Sequence, residues 1–596
     1  MAENESQAPF DPVDLAKAVM QVAQQTQHTL LEFANQRHAA PVNPDPLGVL
    51  PVFQTFLMKL MGDPAAIFEA QMNAWTEYLR IWQQTARHFA GADAPDALAT
   101  PKGDRRFRDP QWTENPFFDY LKQVYLLVAE TVMQLVSRGK AGLDPKTAHK
   151  LEFYSRQIVD ALAPNNFLMT NPEVIRKTLE TGGSNLVHGL QNFLRDIDPK
   201  NGSLHVKMVD TAAFELGRNI ATTRGAVVFQ NDLMQLIQFE PATREVYRRP
   251  LLITPPWINK FYILDLQPRN SFIKWAVDRG YTVFVVSWVN PGAELAEKDF
   301  ENYVFEGPLA ALDAIEKATG ERDINCIGYC IGGTLLGTAL AYLRATGDTR
   351  VQSATFFTSL LDFSDVGDIG VFVDEEQVSH LEDEMNERGF LDGSEMASAF
   401  NMIRANDLIW SFVINNYLLG KDPAAFDLLF WNADSTRMPA RMHSTYLRKM
   451  YLQNALREPG GLVIGDEPID LRKIDVPACF VSTVEDHIAP WKTTYLGAQL
   501  LSGPVEFLLG KAGHVAGIVN PPGPKQYGHF TGPAPVGLTS EQWLARATAQ
   551  EGSWWLRWAE FIERFAGDKV PARIPGTGTL PIIEPAPGSY VKVRLN

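Results

Sequence analysis

Apolar positions along this chain follow two rhythms, and the change between them divides it. Over residues 1 to about 200 the spacing is helical. Phe56 to Met61, then Phe68, Met72, Trp75, Tyr78, Leu79 and Trp82, recur at helix-like intervals. Phe117, Tyr120, Leu121, Val124, Tyr125, Val128 and Val132 repeat the pattern. Breaks rich in Pro, Gly and Ala fall at residues 39–48 and 91–103. The aromatic stripes are expected to be core. The alternative is an apolar face left open for a partner or a hydrophobic surface.

From about residue 220 short β-rich runs alternate with helical stretches. The runs are GAVVF (225–229), LMQLIQF (233–239), PLLIT (250–254), YTVFVVSW (281–288), INCIGY (324–329), VQSATFF (351–357), PACFVSTV (477–484) and PVEFLLG (504–510). Helices are expected between them around 272–278, 308–318 and 334–344. Continuous apolar strands alternating with helices mean a mainly parallel sheet covered on both faces. The first two runs lie close together and are expected to pair as an antiparallel edge. The rhythm stops between about 362 and 450, where Phe400, Trp410, Phe412, Tyr417, Phe426, Phe430 and Trp431 sit in a helix-like stretch. A helical insertion of this kind commonly caps an active site, and a plain structural excursion is the alternative. The expected organisation is a helical N-terminal domain over 1–200 and an α/β domain over 201–596 with a cap insertion at about 362–450.

Composition narrows the class. Hydrophobic residues make up 45% of the 596 and charged residues 21%, which excludes a mostly disordered chain, a collagen or a coiled coil. A net charge of −16 argues against non-specific nucleic-acid binding. Three cysteines exclude a disulfide-stapled scaffold. The opening MAENESQAPFDPVDL has no basic region, long apolar run or small-residue cleavage site, so no secretory signal is expected. No stretch approaches the roughly 20 consecutive apolar residues of a membrane span. The expected compartment is the cytoplasm, with the thiols free for chemistry.

The sharpest chemical signal is Gly328-Tyr329-Cys330-Ile331-Gly332-Gly333, which follows a strand and opens a helix. That context suits a nucleophile elbow, a turn tight enough to demand small residues two positions either side of the nucleophile. The backbone N–H of Ile331 then lies at a helix N-terminus and can stabilise an oxyanion, and the same terminus favours a thiolate. Cys326 and Cys479, each within an apolar strand, read as structural. A nucleophile needs a base, and the base an orienting acid. Asp486, in FVSTVEDHIAP, lies just past a buried strand. His514, in PVEFLLGKAGHVAG, lies in a Gly-flanked loop just past the next. The order nucleophile, acid, His is that of the α/β-hydrolase fold. His487 and His529 compete as base, and Glu485 as acid. The second oxyanion donor is expected from Thr254-Pro255-Pro256-Trp257-Ile258-Asn259-Lys260, the loop after the third strand. Its prolines lack N–H groups, so Trp257, Ile258 or Asn259 must supply it, and Ile258 is chosen. No metal-ligand spacing, P-loop or G-x-G-x-x-G occurs, so neither a metal nor a nucleotide cofactor is expected.

A cysteine nucleophile suits one chemistry well. Its acyl-enzyme is a thioester, formed from a thioester substrate at roughly even exchange, and attack by a hydroxyl then runs downhill to an oxoester. Acyl transfer from an acyl-CoA to a hydroxyl, with a cap excluding water, fits these residues.

Five segments carry a resemblance: PPWINKFYILDLQPRNSFIKWAVDRGYTVFVVSW, NCIGYCIGGTLL, RANDLIWSFVINNYLLGKDPAAFDLLFWNADSTRMP, VEDHIAPW and GHVAGIVNPP. They resemble polyhydroxyalkanoate synthases over roughly residues 100–570. The overall length and helical N-terminal part look like the class I, single-subunit type. The resemblance implies an α/β-hydrolase fold and polymerisation of (R)-3-hydroxyacyl-CoA into polyester granules, with 3-hydroxybutyryl-CoA the expected substrate. It implies no cofactor, since CoA is the leaving group of the substrate. Its implied partners are the growing chain, the granule surface, a second copy in a homodimer and phasin-type granule proteins. The family's nucleophile, acid and base map to Cys330, Asp486 and His514. Ala512 stands where Ser is expected and Val515 where Ile is expected. The rival readings are a cysteine-dependent esterase or thioesterase of the same fold and a non-catalytic granule-associated protein.

Overall fold

A computed structural model of the chain describes residue 45 and residues 48–91, 96–101, 103–198, 204–524 and 526–594. The opening segment and most of the 39–48 break lie outside the described residues, as do 92–95 and 102 in the second break. The chain forms two compact units. One holds the described residues up to Asp210 together with Asn401–Ala424, and the other holds Thr211–Phe400 and the residues from Ala425 onward.

The first unit is helical: α1 (Val49–Met61), α2 (Pro64–Phe89), α3 (Pro116–Gly139), α4 (Pro145–Ala161), α5 (Pro172–Glu180) and α6 (Ser184–Asp196). Four of these helices start the same way. Asp63, Asn115, Asp144 and Asn171 each cap the first turn with a side-chain oxygen, and each is followed by proline at the first helical position. There the missing N–H costs nothing and the ring presets φ. Val52, Phe56, Val136 and Leu151 form a small core between α1, α3 and α4. The segment 401–424, expected as part of the cap, clusters with this unit. Asn185 Nδ2 donates to the Leu418 carbonyl at 2.8 Å, and the Tyr417 hydroxyl donates to Asp196 Oδ2 at 2.6 Å.

The α2 stripe is not core. Its buried positions are Ala66, Ala70, Ile81 and Thr85, whereas Phe68, Trp75 and Trp82 are 65%, 57% and 58% exposed. Small residues make a narrow seam, so the bulky aromatics lie outside it. Of these only Trp75 lines an open apolar cleft of about 590 Å³, together with Met72 and Tyr78 of α2 and Leu127 and Val128 of α3.

In the second unit the eight β-rich runs all become strands: β1 (Gly225–Gln230), β2 (Met234–Phe239), β3 (Leu251–Thr254), β4 (Val283–Trp288), β5 (Ile324–Tyr329), β6 (Val351–Phe357), β7 (Ala478–Thr483) and β8 (Val505–Gly510). Three short strands join them: β9 (His529–Thr531), β10 (Thr548–Gln550) and β11 (Glu584–Pro585). Among the described residues these make one eleven-stranded sheet in the order β10-β9-β8-β7-β6-β5-β3-β4-β2-β1-β11. The six strands from β4 to β8 pair in parallel, and β2, β1, β9, β10 and β11 are antiparallel. β1 and β2 pair antiparallel as expected, but β11 covers β1, so they are not the edge.

Helices α7 (Phe272–Asp278), α8 (Ala310–Thr319) and α9 (Ile331–Ala345) connect the parallel strands. Twelve of the fifteen residues of α9 are buried, as expected for the helix behind an elbow. Trp554, Trp555 and Trp558 pack with Phe272 and Phe357 at centroid distances of 5.0–6.5 Å. This is the α/β-hydrolase fold. No helix of the described residues is long and apolar enough to cross a membrane.

Candidate active site

The parallel strands end on one side of the sheet, where folds of this kind place functional groups. Cys330 follows β5 and caps α9 with φ 54° and ψ −126°. A non-glycine residue there carries strain of roughly 1–3 kcal/mol, stored where the surrounding packing fixes the turn. The packing leaves no room for larger residues. A Cβ on Gly328 would lie 2.4 Å from Gly333 Cα, one on Gly332 would lie 2.2 Å from the Thr254 carbonyl oxygen, and one on Gly333 would lie 1.9 Å from Ser359 Oγ. The small positions around Cys330 therefore hold β5, α9 and the loop after β3 in contact. The Cys330 thiol is part-exposed, while Cys326 and Cys479 are buried. Burial pushes the Cys326 thiol up to about 12 and Cys479 higher still, which keeps both unreactive.

Asp486 follows β7 and His514 follows β8. Asp486 Oδ1 accepts the backbone N–H groups of Ile488 and Ala489 at 2.9 and 2.8 Å, and Oδ2 accepts the Thr483 hydroxyl at 3.4 Å. Its second oxygen also lies 2.7 Å from His514 Nδ1. With the carboxylate an acceptor, this contact places the proton on Nδ1 and turns Nε2 toward the thiol. The His514 ring is influenced by Cys330 as well as by Asp486. Burial opposes a charge on the ring, but the negative charges of Asp486 and Cys330 outweigh it and raise its pKa to about 10. The loop carrying His514 is tied from below. Trp554 and Trp555 Nε1 donate to the Gly517 and Ile518 carbonyls at 2.7 and 2.9 Å.

The structure thus brings Cys330, His514 and Asp486 together and leaves their competitors apart. Glu485 is exposed. His487 Nδ1 faces the Glu485 carbonyl at 3.4 Å. His529 lies on β9, and its Nδ1 accompanies the Gly552 carbonyl at 3.1 Å.

Of the two expected oxyanion donors, Ile331 opens α9, so its N–H has no intrahelical acceptor. Ile258 lies in the loop that abuts Gly332. Its carbonyl accepts the Thr436 N–H at 3.2 Å, and its own N–H donates to no backbone group among the described residues. Both N–H groups are therefore available to a developing oxyanion.

Three tyrosines feel the charge of Cys330. Tyr329 and Tyr446 are buried and Tyr451 is half-buried, and all three phenols are pushed well up, chiefly by burial and partly by the neighbouring Cys330 charge. They stay neutral and present an aromatic wall. Tyr446 and Tyr451 come from the end of the expected cap and pack with Phe363 at 6.1 and 5.2 Å. Only Tyr329 had a pointer, its place beside Cys330 in the chain. Among the described residues no group of three or more His, Cys, Asp or Glu side chains could hold a metal ion.

Comparisons with known proteins agree with this fold and show the family. Residues 103–276 match the family described as poly-beta-hydroxybutyrate polymerase (PhaC) N-terminus, and residues 251–521 match the alpha/beta hydrolase fold. The chain is 48% identical to the poly(3-hydroxyalkanoate) polymerase of Methylorubrum extorquens, over 95% of this chain and 93% of that protein. It is 49% identical to a poly(3-hydroxyalkanoate) polymerase subunit of Rhizobium meliloti (strain 1021), over 90% and 87%. The corresponding Cupriavidus necator subunit is 41% identical over 89% of each chain.

Proposed function

Because this chain belongs to the poly(3-hydroxyalkanoate) polymerase family, we propose that it joins (R)-3-hydroxyacyl units from acyl-CoA into polyester through an acyl-Cys330 intermediate. The activity itself, synthesis of polyhydroxyalkanoate by an acyltransferase, follows from the family. The mechanism rests on one observation: a strained cysteine at a helix start, electrostatically linked to a histidine that a buried carboxylate orients.

In the proposed cycle His514 already holds the Sγ proton as an imidazolium beside the Cys330 thiolate, and the thiolate attacks the thioester carbonyl. The Ile331 and Ile258 N–H groups hold the oxyanion. The bond to CoA sulfur breaks, the leaving thiolate takes the proton from His514, and an acyl-Cys thioester remains. His514 next accepts the proton of another unit's 3-hydroxyl as its oxygen attacks the acyl-Cys carbonyl. An ester forms and the Cys330 sulfur leaves. The cycle needs no cofactor, since CoA departs with the substrate. Tyr329, Tyr446 and Tyr451 line the thioester with apolar surface and oppose hydrolysis. We assign 3-hydroxybutyryl-CoA as substrate, the cytoplasm as compartment, and a homodimer as the working form. The open face of α2 supports contact with an apolar polyester granule, alongside phasin-type proteins.

The test follows thiol release from (R)-3-hydroxybutyryl-CoA and collects insoluble polymer. Cys330→Ala should abolish both, while Cys326→Ala and Cys479→Ala should alter stability only. Near-normal turnover by Cys330→Ala would remove it as nucleophile. Free 3-hydroxy acid in place of polymer would make the protein a thioesterase.

A further inference from the structure

The loop after β3 has an anchor far from it in sequence. Every carbonyl that binds it elsewhere is accounted for. Pro255 accepts Trp288 Nε1 at 2.8 Å, Trp257 accepts the Thr436 hydroxyl, Ile258 accepts the Thr436 N–H, and Lys260 accepts Trp431 Nε1 at 2.8 Å. With these four carbonyls occupied, the backbone course of the loop is fixed, and the Ile258 N–H donates to no backbone group among the described residues. At its end Lys260 turns inward and is 3% exposed. Its ammonium donates to the Val591 carbonyl at 3.0 Å and to that of Val593, and lies 3.9 Å from Asp434 Oδ1. Asp434, 2% exposed, accepts the Tyr262 hydroxyl at 2.8 Å on its other oxygen, and Arg594 Nε approaches within 3.5 Å. The Arg594 guanidinium also lies 4.6 Å over the Phe430 ring.

A buried ammonium costs several kcal/mol in desolvation and adds little net stability over an apolar residue, but it fixes geometry. Two of its three donors go to carbonyls from residues 591 and 593, and the carboxylate 3.9 Å away balances its charge. Those carbonyls belong to a single 3-10 turn, Tyr590–Lys592, and the residue after it, so the sheet does not pair them. The tail is held in turn by Tyr590, whose hydroxyl donates to the Asn231 carbonyl at 2.7 Å.

We propose that Lys260 is a positioning residue for the oxyanion loop, and that residues 590–594, far from Cys330 in sequence, are thereby a working part of the active site. Lys260 ties the loop to the tail, and Asp434, itself paired with Arg594, holds the ammonium where the loop must end. This rests on the reading that Ile258 N–H serves the oxyanion.

The full-length protein provides the test with two measurements at Cys330. First-turnover CoA release requires the oxyanion donors. Alkylation by iodoacetamide displaces iodide at a saturated carbon and requires only the thiolate. Lys260→Met keeps the stem and loses the charge. It should lower first-turnover kcat by about 10- to 100-fold with KM little changed, somewhat less than outright loss of an oxyanion donor. Alkylation should stay within about twofold. Lys260→Arg, which keeps the charge and donors, should recover part of the loss. CoA release within about threefold of the parent, or an equal fall in both measurements, would overturn the proposal. If Lys260→Met does not fold, the half-exposed Arg594 takes its place. Arg594→Ala must then show about a fivefold fall in CoA release with alkylation unchanged, and anything less overturns the proposal. Failure of the nucleophile itself shows separately: alkylated parent protein would still release CoA.

Discussion

The two units spend their tryptophans in opposite ways. In the sheet unit Trp554, Trp555 and Trp558 are at most 1% exposed, and each indole N–H has an acceptor. In the helical unit Trp75 and Trp82 are more than half exposed on α2. The sequence pattern around both groups is an amphipathic aromatic helix. What differs is the surface opposite. A sheet face is broad and takes three indoles at once, whereas the seam of α2 is built from alanines, isoleucine and threonine and leaves its large side chains outside. Buried indoles near the site hold a catalytic loop. Exposed ones leave an apolar surface on α2.

The comparison can be broken at its strongest point in the sheet unit. Asp486→Asn should fold normally and lose roughly 10²–10⁴-fold in rate, as where an acid fixes the histidine tautomer. It should also move the alkaline limb of activity. In the parent, burial disfavours the His514 charge but Asp486 and Cys330 hold it protonated to about pH 10. Without the carboxylate charge, burial gains weight and the limb should shift to lower pH. Rates of CoA release between pH 6 and 11 read both effects, and an unmoved limb would deny Asp486 its electrostatic role.

Removing an indole sharpens the contrast. Trp558→Ala should cost about 3–5 kcal/mol in denaturant unfolding, the range for large buried aromatics. A loss below about 1 kcal/mol would mean that the sheet face is less tightly filled than the ring distances suggest.

Burial in the same unit also sets an acid limit. His443 is fully buried, its Nδ1 has no hydrogen-bond partner, and burial lowers its pKa to about 4. The unfolded chain takes up this proton near the ordinary value of 6.5, so stability is full above that pH and falls as pH drops toward 4. The total is about 3 kcal/mol. His443→Phe should flatten the decline between pH 6.5 and 4, measured by urea midpoints. A decline of parental steepness would assign it to other groups.

The smallest effect on folding belongs to the helical unit. The pair Trp75→Ser and Trp82→Ser should change unfolding free energy by no more than about 0.5 kcal/mol each. The same protein should sediment less with poly(3-hydroxybutyrate) particles. Unchanged sedimentation would leave the face without its assigned polymer contact.

Much of the sheet unit was legible because its strands are continuous apolar runs and its chemistry sits at their ends. Cys330, Asp486 and His514 each follow such a run within a few residues, so order along the chain and strand ends together placed them. β9, β10 and β11 escaped notice because strands of two or three residues carry no periodicity. The 401–424 segment read as cap because aromatic content marks a helix as apolar without naming its partner. Tyr446 and Tyr451 reach the thiol only because the chain returns there after the long insertion.

The sequence by itself determined what depends on neighbours within a turn or a strand: the helix starts at Asp-Pro and Asn-Pro, the alternation that makes a parallel sheet, and the glycine spacing that lets a strained cysteine open a helix. Tertiary structure alone decided which apolar faces are covered, and that Val591 and Val593 close on Lys260 at the end of the loop after β3. The physical reason is range. Backbone preference and side-chain period act over a few residues, whereas burial and charge pairing depend on groups brought together from hundreds of residues apart.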